Sequence, residues 1–103
     1  MRAVLAGDLD AAVAVVIGLP PKVRGQVVME LIEQAHVAHK FNRRTGQALA
    51  CFGTGSLMTA AQGRKAVLPH RCDARYCEAL QSVLWALGCW RQGQARRAGH
   101  IRV

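Results

Sequence analysis

A chain of 103 residues with 51% apolar content can build one domain around a single modest core and is too short for two. Its longest apolar run, residues 11–19, stays under the roughly 18–20 residues a membrane-spanning helix needs. Asp8 and Asp10 break the segment where a secretory signal would be hydrophobic, so the expected location is the cytoplasm.

Aromatic residues make up 5% of the chain, and the apolar content is mostly Ala, Val and Leu, which favours close helix packing over a sheet sandwich. Asp8 is read as the cap of a first helix from Leu9 to Ile17, with Asp10 in its first turn, where the helix dipole favours negative charge. This helix is apolar almost all round, so it is either buried or covered by a partner. Gly18 can end it, and Pro20-Pro21 forbids continuation. The short turn predicts an antiparallel hairpin with a second helix, starting at Pro21 and running to Lys40. At 100° per residue, Val27, Val28, Leu31, Ile32, Ala35, Ala38 and His39 share one arc of that helix, and Glu30 and Glu33 face away.

Residues 41–55 hold three glycines and no lasting period, and read as a long ordered loop anchored by Phe41, Leu49 and Phe52. Ser56 can cap a short third helix, Leu57 to Gln62, and a second linker with Pro69 runs from Arg64 to Cys72. Asp73 caps the last helix, from Ala74 to about Trp90. Tyr76, Cys77, Leu80, Val83, Leu84 and Leu87 are read as its buried stripe, with Trp85, Cys89 and Trp90 off it. Indole surface left off the stripe is a candidate protein-contact face. The residues after Trp90 are basic and polar and read as a flexible tail, leaving 1–90 as the helical domain. The expected fold is all-α, a compact bundle of about four helices with long ordered loops.

No residue set supports catalysis. Ser56 and Ser82 are the only serines, and neither has a local His/Asp pattern. His70, Cys72 and Cys77, with Cys89 or His100, have zinc-capable types but loose spacing, so the cysteines read as buried thiols in a reducing compartment and no metal or cofactor is expected. Glu33 and His36 are spaced as in di-metal bundles, but no second such pair exists, and His39 reads as a hydrogen-bonded core histidine. Phe52 to Ser56 has the form of an anion nest but lacks a P-loop lysine, which leaves a capped turn.

The charge is uneven: residues 1–39 hold three basic against four acidic side chains, and 40–103 hold eleven against two, for +8 overall. A basic half attracts polyanions, or simply keeps a small protein soluble. Lys40, Arg43, Arg44, Arg64, Lys65 and Arg71 gather around the two linkers as candidate phosphate contacts. No helix-turn-helix is evident, so base reading is not expected.

The segments GDLDAA (7–12), EQAHVAHKFNRRTG (33–46), FGTGSLMTAA (52–61) and DARYCEALQSVLWAL (73–87) resemble a small, functionally uncharacterised family of Rhodobacter-like alphaproteobacteria. The resemblance covers roughly residues 1–90. It implies a link to gene transfer agents, the phage-like particles that package host DNA, on the regulatory side of particle production. It carries over no catalytic or binding residue. The expectation that follows is a non-enzymatic regulatory adaptor acting through protein contacts at Trp85, Cys89 and Trp90. Its candidate partners are the transcription machinery, another gene transfer agent regulator or a second copy of the chain. An auxiliary DNA-binding protein contacting phosphates is the alternative, and a packaging or structural component of the particle is the third option.

Overall fold

A computed structural model describes residues 1–50, 52–67 and 73–102, with 97–102 as backbone alone. Four helices follow in order: α1 (Ala6–Val16), α2 (Pro21–Thr45), α3 (Leu57–Ala61) and α4 (Ala74–Arg102). Among the described residues there is no strand, only an isolated bridge between Leu49 and Gly53. The chain is a small all-α bundle, as its composition implies. None of these helices is long and apolar enough to cross a membrane.

α1 starts three residues earlier than the sequence indicates. Leu5 occupies the N-cap, and Asp8 is the third helical residue, from which its carboxylate reaches back to accept the Leu5 N–H at 2.8 Å. That carboxylate is 96% removed from solvent, and its other oxygen accepts the Met58 N–H at 2.9 Å in the first turn of α3. One buried anion therefore satisfies backbone donors at the start of two helices, where the helix dipoles favour it.

The opposite end of α1 is closed by a cation. Arg24, on the first turns of α2, is 6% exposed. Its Nε donates to the carbonyls of Val16 and Leu19, and its Nη2 to that of Ile17, each at 3.1 Å. The Val67 N–H takes the Ala14 carbonyl at 2.8 Å. These bonds supply partners for carbonyls that a helix end leaves unpaired. Between the two caps, Ala12 to Val16 are all 7% exposed or less, so the all-round apolar character of α1 is used inside the fold.

α1 and α2 share the smallest contact of the packed helix pairs, so the expected hairpin is held at its turn by Arg24 more than along its length. α2 packs most extensively on α4, and α1 on α3 and α4. The α2 arc behaves as its period indicates: Val28, Leu31, Ile32, Ala35 and Ala38 are fully buried, and Glu30 and Glu33 are exposed. α2 does not stop at Lys40, however. Phe41 to Thr45 continue it to Gly46, whose φ of 72° is the left-handed conformation glycine adopts freely and whose N–H closes on the Asn42 carbonyl. Arg43 and Arg44 therefore lie in a helical last turn, where the dipole favours cations, and not in a loop.

The stripe of α4 is also rotated from expectation. Ala79, Val83, Ala86 and Leu87 are buried, Tyr76, Leu80 and Trp90 pack partly against the core, and Cys77 and Leu84 are exposed. Two of these buried positions are alanines, weak in any hydrophobicity count. The helix continues past Trp90 to Arg102, over the stretch read as a tail.

Removing the Arg24 side chain would take the guanidinium from the part-buried Ile17 and Leu19 carbonyls and leave the buried Val16 carbonyl with the Leu19 N–H alone. Arg24→Ala should lower stability by roughly 2–4 kcal/mol, and Arg24→Lys, which has no planar fork, should recover only part of it. Urea denaturation checks this: the midpoint should fall with little change in slope.

Candidate functional site

The six basic residues proposed from sequence do not form one patch. Lys40, Arg43 and Arg44 are exposed on the last two turns of α2. Arg64 lies further back along that helix, where Nη2 is 3.4 Å from both Glu30 Oε2 and Gln34 Oε1. Its charge is already compensated. Lys65 lines a groove with Val15, Gly18 and Leu19 at the α1–α2 turn, and Arg71 lies outside the described residues.

In their place the fold recruits Arg2. Its backbone N–H bonds the Gly55 carbonyl at 2.9 Å, Nε donates to the Thr54 carbonyl at 3.1 Å, and Nη2 donates to Asn42 Oδ1 at 3.0 Å. The lead-in segment is thereby tied across α2 and the turn before α3. Met1 follows the same course, its ammonium 2.8 Å from His36 Nδ1. Nothing in the sequence alone marks Arg2 as a neighbour of Arg43, because 40 residues separate their helical turn from the N-terminus.

Two histidines sit beneath these cations. The His36 ring meets Trp90 edge-on, with centroids 5.4 Å apart and planes at 68°. Burial pushes its pKa below the ordinary 6.5, the Met1 ammonium and Lys40 act the same way, and Glu33 opposes them. His39 is also shifted down, by burial first and then by the Met1 ammonium, Arg43 and Arg2. Its Nδ1 is buried with no hydrogen-bond partner among the described residues, contrary to the bonded core histidine expected. Gly55, at φ 114°, passes so close that a Cβ there would stand 2.6 Å from the His39 Cβ.

The indoles separate. Trp90 packs against the core and His36, so it is no surface residue; lying three residues from Leu87 and seven from Val83, it belongs to the buried stripe. Trp85 is 61% exposed, and its ring rests on α2 at Gly25, where a Cβ would meet Cζ3 at 2.8 Å. Trp85, Pro21, Lys22, Gly25, Gln81 and Ser82 line an open groove of about 320 Å³. Leu84 beside it is half exposed. Cys77 and Cys89 are exposed free thiols on α4, which corrects the placing of Cys77 on the buried stripe and leaves Cys89 off it; Cys51 and Cys72 lie outside the described residues.

The remaining motif is a capped turn. Ser56 Oγ accepts the Thr59 N–H at 3.1 Å, and the N–H groups of Gly53, Thr54 and Met58 go to Leu49, Thr59 and Asp8. With these donors bonded, the turn has fewer left for an anion. Among the described residues, no three His, Cys, Asp or Glu side chains are placed to hold a metal ion.

These features define a small all-α bundle with one exposed indole groove and one cationic end. The chain belongs to the family described as Domain of unknown function (DUF7742), which matches residues 2–87. No curated protein and no solved structure matches the chain.

Histidines held below 6.5 in the fold are neutral there while the unfolded chain still takes up protons. The histidine contribution to stability should therefore be lost as pH drops through and below about 6.5. Thermal melts between pH 7.5 and 5 would show a declining midpoint, and His36→Gln with His39→Gln should flatten that slope.

Proposed function

We propose that this chain is a non-enzymatic interaction protein whose protein partner docks on the α2–α4 edge at Trp85. In keeping with the resemblance noted above, its setting is the regulatory side of gene transfer agent production. The observation that carries the reading is the exposure of Trp85, the one exposed aromatic side chain among the described residues, seated beside an open groove. An indole of this kind supplies large apolar contact area at low entropic cost, and interface hot spots are enriched in it. Lys22, Gln81 and Ser82 form a polar rim. Three groups of catalytic type have structural roles. Ser56 and Thr59 are bonded to each other at the α3 cap, and His36 is held between Met1 and Trp90.

Trp85→Ala should abolish retention of the partner on an affinity column while costing under about 1 kcal/mol, a shift of only a few degrees in melting temperature. Gly25→Ala, which forces the indole off its seat, should weaken the same complex by a second route. Mass spectrometry of the retained proteins reads both. An unchanged set of retained proteins would sink the docking surface, and so would a large stability loss, which would make Trp85 a core residue.

A further inference from the structure

The cations at the C-terminal end of α2 are collected by the tertiary fold. Going round the helix at 100° per residue, Asn42 (to which Arg2 is bonded), Arg43, Lys40 and Arg44 span an arc of about 200° on its last two turns. Lys40, Arg43 and Arg44 are exposed and make no ion pair among the described residues, in contrast to Arg64 on Glu30 and Arg75 on Asp73. The bonds of Arg2 use Nε and Nη2, so its Nη1 donors lie outside them. Of the charged groups acting on His36 and His39, only Glu33 is acidic. The result is a concentrated positive end on a molecule whose first 39 residues are close to neutral.

We infer that this end binds the phosphate backbone of double-stranded nucleic acid, independently of base sequence, through Arg2, Lys40, Arg43 and Arg44. Three of the four groups are guanidinium ions, whose planar fork suits phosphate oxygens. They spread over the outside of a helix end, which fits an extended polyanion better than a small one. Single-strand binders interleave such cations with aromatic stacking platforms. Here the exposed aromatic, Trp85, is at Gly25, near the other end of α2, some 18 residues or roughly 27 Å along the helix from Arg43. Arg91 and Arg96 are exposed on α4, one and six residues beyond Trp90. The inference stands apart from the Trp85 reading, since the two use different ends of α2.

The test is fluorescence anisotropy of a short random-sequence duplex DNA with the full chain across a salt series. Four phosphate contacts predict a log–log salt slope near −3.6, an affinity loss on the order of a hundredfold for a fourfold rise in salt. Arg43→Gln with Arg44→Gln should make the slope shallower by about 1.8, and Arg64→Gln with Lys65→Gln should leave it unchanged. Melting temperatures confirm that each variant is folded. Phosphatidylserine vesicles form a second arm, because Leu5 and Met58 expose apolar surface beside Arg2 that an acidic bilayer would use. Absence of salt-sensitive duplex binding, an unchanged slope in the Arg43/Arg44 variant, or binding to vesicles alone would each overturn the inference.

Discussion

The structure depends on burying the two polar ends of α1. A helix that is apolar all round has to be enclosed, and enclosure removes water from the N–H groups at one end and the carbonyls at the other. The two charged side chains buried among the described residues are Asp8 and Arg24, one at each end of that helix. The carboxylate sits where the dipole is positive and the guanidinium where it is negative. Each also ties α1 to a different neighbour: Asp8 to the start of α3, Arg24 to the first turns of α2. Two charges thus set the relative placement of three helices, and the mutual contact of α1 and α2 can remain small.

With α1 enclosed, the surface of the bundle belongs largely to α2 and α4. α2 is long enough to separate two kinds of chemistry. Its N-terminal end carries Gly25, flat enough to seat an indole, and its C-terminal end carries the cations and the histidines beneath them. α4 runs alongside in the same general sense, since Trp85 meets Gly25 and Trp90 meets His36 further along. The two tryptophans, five residues apart, therefore serve different ends: one is exposed at a groove, the other closes over an imidazole.

Much of the bundle was legible in the sequence because helical periodicity reports burial directly. The α2 arc from Val28 to Ala38, the Ser56 cap and the end of α1 before Pro20 all rest on local chemistry that tertiary packing had no reason to override. Local signals mislead where a residue type has two roles. Gly46 ended a helix already in progress, while the glycines after it made the preceding five residues look like loop. Ala79 and Ala86 carry little hydrophobic signal, so the sequence pattern points the α4 stripe through Cys77 and Leu84 and leaves Trp90 off it.

The sequence by itself determined the helical class, the basic balance of the chain and the face that α2 buries, since each follows from composition or from a period of 3.6 residues. Only the tertiary structure decided which charges are neighbours. Arg24 looks like any surface arginine until the end of α1 is folded onto it, and Arg2 has no relation to Arg43 until the lead-in segment is hydrogen-bonded to Thr54, Gly55 and Asn42. Arg64 is removed from the same patch by Glu30, on a helix more than thirty residues earlier. Electrostatic partners are chosen by distance in space, and a one-dimensional reading of charge has no access to it.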